Sequence, residues 1–145
     1  MRALSTLPRA FAANISYVLC DIDDTITTEG RLTAKAYSAL QDLHDAGITV
    51  IPITGRPAGW CDHIARMWPV SAVVGENGAF FMRYDHVARK MQQQFWTDQT
   101  TQAINRQKLD ALANTILAQV PGCALASDQP YRLADLAIDF CEDVD

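Results

Sequence analysis

Apolar residues fall along this chain in short runs, separated by stretches where they recur at helical spacing, the pattern of strands alternating with helices. The first run, Tyr17-Val18-Leu19-Cys20, stops at the polar cluster Asp21-Ile22-Asp23-Asp24-Thr25. Ala36, Leu40 and Leu43 then recur at i, i+4, i+7, with Thr33 placed to cap a helix and Gly47 to end it. A second run, Ile48-Thr49-Val50-Ile51-Pro52-Ile53, stops at Thr54-Gly55-Arg56-Pro57, where Pro57 is placed to start another helix. A third, within Val70 to Val74, leads into Gly75-Glu76-Asn77-Gly78, a turn sequence. Strand, helix, strand is a βαβ unit, and its right-handed crossover makes the first two strands parallel. Asp21 and Thr54 are therefore expected at the same, carboxyl edge of one sheet, where open α/β sheets bind ligands.

Beyond the turn the pattern changes. Ala79 to Arg83 and Met91 to Trp96, separated by polar residues, read as a hairpin. The spacing of Ile104, Leu109, Leu112, Ile116 and Val120 predicts an amphipathic helix over roughly Thr97 to Gln119, stopped by Pro121-Gly122. Short strands near Cys123 to Ala126 and Leu133 to Phe140 follow, joined by Ser127-Asp128-Gln129-Pro130. The composition boundary falls near Tyr84-Asp85-His86.

The candidate chemistry sits at the ends of the first two strands. Side chains at i and i+2 leave a strand on the same side, so Asp21 and Asp23 can converge beyond the sheet edge. A carboxylate there can attack phosphorus, and a neighbouring acid can protonate the leaving oxygen and later activate water. The plain alternative is a solvated turn or helix cap. Asp24 should point away from the pair, and Thr25 should satisfy backbone groups in the turn. Thr54 can donate to a phosphoryl oxygen, helped by the positive N-terminus of the following helix, or simply cap that helix. Arg56 suits a phosphate or a surface ion pair equally.

Charge and cysteine usage narrow the setting. The 145 residues carry a net charge of −5 with no basic run, which disfavours nucleic acid and anionic membranes as partners. The apolar fraction of 49% is that of a chain able to bury one core, or one core with an appendage. Cys20, Cys61, Cys123 and Cys141 form no C-x-x-C pair, and His44, His63 and His86 no i, i+4 pair, so no zinc site is read. Cys20 is expected as a small buried apolar side chain, and a cytoplasmic location with reduced thiols is expected. Arg2, Arg9 and Ala10-Phe11-Ala12-Ala13 faintly suggest a targeting segment, but Pro8 interrupts it and no apolar stretch of signal-peptide length precedes Asn14.

In Asp21-Ile22-Asp23-Asp24-Thr25, in Ile53-Thr54-Gly55-Arg56 and in the Glu76-Asn77-Gly78-Ala79 turn, the chain resembles the haloacid dehalogenase superfamily, in its subgroup with a large α/β cap after the third core strand. The resemblance spans about Ser16 to Ala79. It implies a Rossmann-like parallel-sheet core, here its N-terminal part over 1–84, and the first α-β-β unit of a cap over 85–145. Asp21 would be nucleophile and Mg²⁺ ligand. Asp23 would be acid/base and offer its carbonyl to the metal, and Thr54, Gly55, Arg56 and Asn77 would bind substrate. The implied activity is Mg²⁺-dependent hydrolysis of a small phosphorylated metabolite, such as a sugar phosphate, through an aspartyl-phosphate, with a phosphomutase as a chemical relative. The family's later Lys and final acidic motif are not evident: Lys90 and Lys108 read as surface residues, and Glu142-Asp143-Val144-Asp145 as the end of a cap strand rather than that motif. A catalytically incomplete fragment or interaction module is thus the competing expectation, with an open sheet edge that favours self-association.

Overall fold

The computed structural model describes residues 6–144; Asp145 and the first residues of the targeting-like segment, Arg2 among them, lie outside the described residues. After a single helical turn, α1 (Arg9–Ala12), the chain enters β1 (Tyr17–Cys20), which pairs in parallel with β2 (Thr49–Pro52) in the register Tyr17↔Thr49 through Cys20↔Pro52. The crossover between them is α2 (Ala34–Asp45). Its start follows from Thr33, whose hydroxyl accepts the Ala36 amide at 3.2 Å. Its end follows from Gly47, which takes φ +76° while its amide donates to the His44 carbonyl at 2.9 Å.

A parallel bridge between Ile53 and Val74 extends the sheet to β3 (Val73–Gly75). From there the pairing turns antiparallel, through β4 (Phe80–Asp85) to β5 (Lys90–Phe95). The hairpin carries the backbone across positions 84 and 85 in unbroken register, Tyr84↔Met91 and Asp85↔Lys90. Between β2 and β3 lies α3 (Ala58–Met67), whose Ala58, Cys61, Ile64 and Ala65 bury against Ile22, Val73, Phe80 and Met82 to form the core. The opposite face of the sheet differs. By register and alternation it carries Leu19, Ile51, Ile53, Val74 and Phe81, and Leu19 is 64% exposed, Ile53 40% and Phe81 37%. Parallel sheets ordinarily bury both faces.

The last part is α4 (Gln99–Gln119), capped by the Asp98 carboxylate on the Thr101 amide at 2.9 Å, followed by the antiparallel pair β6 (Ala124–Leu125) and β7 (Ile138–Asp139). The apolar stripe expected on this helix exists in sequence but is only partly covered: Ala113 is its buried residue, Leu109 and Ile116 are partly buried, and Ile104, Leu112 and Val120 are each about half exposed. Strands of two residues are too short to cover a helix of 21. No helix among the described residues is long and apolar enough to cross a membrane.

Candidate active site

β1 delivers Asp21 to the carboxyl edge of the sheet, and the chain then winds into a tight turn around one carbonyl. The Ile22 oxygen accepts the amides of Thr25 at 3.3 Å, Ile26 at 3.0 Å and Thr27 at 2.9 Å, and the Thr27 hydroxyl at 3.0 Å. The same hydroxyl accepts the Asp24 amide at 3.1 Å, holding Asp24 at φ +53°. The turn is therefore satisfied by Thr27, which is buried, and not by the Thr25 side chain expected for that part. Asp24 is exposed at the turn's rim.

Parallel pairing places the end of β2 beside this turn. Thr54 is 2% exposed; its amide donates to the Val74 carbonyl at 2.9 Å and its hydroxyl accepts the Arg56 amide at 3.0 Å. With that lone pair engaged, the hydroxyl proton remains the group a phosphoryl oxygen would accept. Asp21 is exposed, and its Oδ1 accepts the Ile22 amide at 2.7 Å. Asp21, Thr54, Gly55 and Asn77 line one cavity of about 420 Å³, together with Leu19, Cys20 and Ile53.

Asp23 and Arg56 face the other side of Gly55. The Arg56 guanidinium grips the Asp23 carboxylate as a fork, Nη2 to Oδ1 at 2.7 Å and Nε to Oδ2 at 3.1 Å, and lies 4.6 Å above the Trp60 ring. The hydrogen bond to Asp23 raises the Arg56 pKa further above its ordinary value, against the opposing effect of burial. Of the two roles open to Arg56, this geometry shows the ion pair. The second cavity, of about 380 Å³, is lined by Asp23, Gly55, Arg56 and Trp60 from the core and by Asp128, Arg132, Glu142 and Asp143 from the C-terminal segment. Gly55 separates the two cavities, so the expected site residues are gathered at one sheet edge but open in two directions. Cys20, half-buried, has its thiol pKa raised by burial and then by the Asp21 charge, which keeps it a neutral neighbour.

The most buried carboxylate here belongs to the Glu76-Asn77-Gly78-Ala79 turn, whose sequence gives no sign of that burial. Glu76, 2% exposed at φ +47°, accepts the first amide of α3, Ala58, on Oε1 at 3.0 Å. One of the helix amides expected to serve a phosphoryl group is thus committed to a side chain of the protein. Asn77, exposed at φ +58°, donates to Asp135 at 3.3 Å, and a Cβ on Gly55 would lie 3.0 Å from its Oδ1. Lys90 and Lys108 are exposed on β5 and α4, and no lysine is among the residues lining the Asp21 cavity. Among the described residues no group of three or more His, Cys, Asp or Glu side chains comes together to hold a metal. The donors present, the Asp21 carboxylate and the Asp23 carbonyl, are hard oxygens, and Mg²⁺ accepts few protein ligands because it keeps several waters.

A family model of haloacid dehalogenase-like hydrolases matches residues 18–120, which includes both strand-end motifs. No curated protein matches. Among solved structures, a Thermoplasma acidophilum protein superposes with a TM-score of 0.63 at 16% identity, over 87% of this chain and 51% of that one. A phosphatase of the haloalkanoate superfamily from Bacteroides thetaiotaomicron gives 0.50 at 23% identity, over 79% and 40%. A haloacid dehalogenase-like hydrolase from B. subtilis gives 0.51 at 20% identity, over 70% and 34%. These likenesses establish the fold, and the chain spans between 34% and 51% of the length of these structures.

Proposed function

Because the chain belongs to the haloacid dehalogenase-like hydrolases, we propose that it carries the nucleophile half of a phosphatase site that acts on a small phosphorylated metabolite. The observation that supports this most is the convergence of Asp21, Thr54, Gly55 and Asn77 on one cavity at the carboxyl edge of the sheet. Asp21, exposed at the strand end, attacks phosphorus and forms an aspartyl-phosphate. Asp23 protonates the leaving oxygen and then takes a proton from the attacking water. That role requires Asp23 to leave its ion pair, since the Arg56 guanidinium occupies both oxygens of its carboxylate. Thr54 holds a phosphoryl oxygen through its hydroxyl, and Asn77 reaches the same cavity with its amide.

Mg²⁺ is part of this reading: Asp21 and the Asp23 carbonyl would hold it, and when bound it neutralises charge on the phosphoryl oxygens. The leaving group occupies the second cavity, where carboxylates outnumber cations; a neutral, hydroxyl-bearing group such as a sugar is favoured there over a second anion. Residues 85–145 act as the first part of a cap over this cavity, and the chain works in the cytoplasm. A second reading, a catalytically incomplete module, is favoured by the absence of lysine from the lining of the Asp21 cavity, since phosphoryl transfer leans on cations for charge stabilisation.

The test is p-nitrophenyl phosphate hydrolysis with Mg²⁺, in this chain and in a form extended to the length of the solved relatives. Asp21→Asn abolishes turnover without unfolding the protein, and Asp23→Asn slows it by about 10²–10⁴-fold. Activity retained in Asp21→Asn refutes the nucleophile assignment. Activity confined to the extended form supports the second reading for this chain.

A further inference from the structure

Three of the four hydrogen-bond partners of the buried Glu76 carboxylate come from a segment 57 to 59 residues downstream. Oε1, besides the Ala58 amide, accepts that of Leu133 at 2.9 Å. Oε2 accepts the amides of Ala134 at 2.6 Å and Asp135 at 2.9 Å. A carboxylate this buried persists only with its lost hydration replaced, and here four backbone amides, from α3 and from the C-terminal segment, replace it together. The core and the C-terminal segment are thus joined through one side chain.

Arg132 makes a second attachment beside it. Its Nη1 donates to the Gly55 carbonyl at 2.9 Å and to Asp135 Oδ1 at 2.9 Å, while Nη2 donates to Asp128 Oδ2 at 2.9 Å. Burial opposes the Arg132 charge, but the hydrogen bonds to Asp128 and Asp135 outweigh it and raise the pKa above its ordinary value. A third close approach lies between: a Cβ on Gly59 would sit 3.2 Å from the Tyr131 Cβ. The segment held at these points supplies Asp128 and Arg132 to the wall of the cavity that contains Asp23.

We propose that Glu76 and Arg132 form a clamp that seats residues 128–135 against Gly55, at the end of β2, and the start of α3, so that both are positioning residues for the leaving group. This rests on the phosphatase reading for its functional meaning, but not for the clamp itself. Neither residue touches the reacting atoms. Glu76 acts through the amides of Leu133 to Asp135, and Arg132, besides forming part of the wall of the leaving-group cavity, through the Gly55 carbonyl, the point where the two cavities meet.

The experiment compares the full chain, Glu76→Gln and Arg132→Gln by amide hydrogen exchange, and by calorimetric titration with inorganic phosphate and glucose 6-phosphate in Mg²⁺. Glutamine keeps the size of the side chain but turns an NH₂ toward amide donors. Exchange at Ala134 and Asp135 should then quicken about tenfold or more, the scale of losing one charge-assisted hydrogen bond, while the amides of β4 keep their protection. Affinity for glucose 6-phosphate should fall about tenfold with affinity for inorganic phosphate unchanged. Arg132→Gln leaves the buried carboxylate alone and should reproduce the lost selectivity; it carries both readouts if Glu76→Gln does not fold. Unchanged exchange at Ala134 and Asp135, or equal loss of affinity for both probes, overturns the clamp. A wild-type chain that binds neither probe counts against the phosphatase reading, and the exchange rates then decide the clamp by themselves.

Discussion

At Gly75 β3 packs tightly against both β4 and α3, and replacing it with alanine tests that packing directly. Its φ of −113° suits any residue, so the effect of Gly75→Ala is steric and not conformational. A Cβ there would lie 2.6 Å from the Cys61 Sγ and 2.6 Å from the Phe80 Cζ, where ordinary contact needs about 3.5–4.0 Å. Neither neighbour can yield freely. Cys61 is 0% exposed on α3, and Phe80, 2% exposed, lies opposite Gly75 in the β3–β4 register and edge-on to Phe95 at 5.5 Å. A shift of about 1 Å in α3 or β4 is required, and overpacking of this kind costs about 1–3 kcal/mol. With two fully buried neighbours the upper end applies, lowering Tm by roughly 6–12 °C for a chain of this length. Thermal melts of wild type, Gly75→Ala, Cys61→Ala and the double variant measure it. Removing Sγ relieves one of the two clashes, so the double variant should be more stable than additivity predicts, by about 1 kcal/mol. A Gly75→Ala melt indistinguishable from wild type, or strict additivity, would refute the packing. Because the Val74 carbonyl holds the Thr54 amide, the same strain reaches the candidate site.

Thiol labelling gives a second check: burial, and then the Glu76 charge, push the Cys61 thiol up to about 12. Iodoacetamide near neutral pH should therefore modify exposed Cys141 first and Cys61 last, with early Cys61 adducts in peptide maps contradicting the core assignment. Asp139 accepts the amides of Glu142, Cys141 and Asp143, which hold its carboxyl below the usual carboxylate range. Its stabilisation is present above the unfolded value of about 3.9 and is lost as pH falls through the lower folded value, so Asp139→Asn should flatten the acid limb of a stability-against-pH curve. An acid limb unaltered in that variant would show that the amide bonds to Asp139 do not carry it. The exposed face bearing Leu19, Ile53 and Phe81 should make this polypeptide self-associate in sedimentation experiments, and Leu19→Lys should shift it toward monomer. A wild-type chain that stays monomeric as concentration rises would contradict this.

Local pattern was enough for the elements that place Asp21 and Thr54. The run Tyr17–Cys20, the Thr33 cap, the Gly47 stop and the second run each act over a few residues, and the right-handed crossover then leaves one arrangement for the two strand ends. The motif spacing likewise carried the family, because nucleophile and phosphate-binding residues lie at strand ends that periodicity reveals. Three features did not show in that pattern. Thr27 and Thr25 are both plausible turn residues, and which hydroxyl reaches the Ile22 carbonyl depends on how the turn closes in space. Arg56 had two candidate partners, and the ion pair with Asp23, 33 positions away, was decided by where two different strands end. Glu76 stands in the sequence as part of the Glu76-Asn77-Gly78-Ala79 turn, with nothing to mark what its side chain meets. Its burial and its amides from Leu133 to Asp135 arise only when the C-terminal segment folds back over α3, a contact between residues nearly sixty positions apart. Periodicity reports which face of an element is apolar; it carries no information about which distant backbone will supply donors to a buried charge.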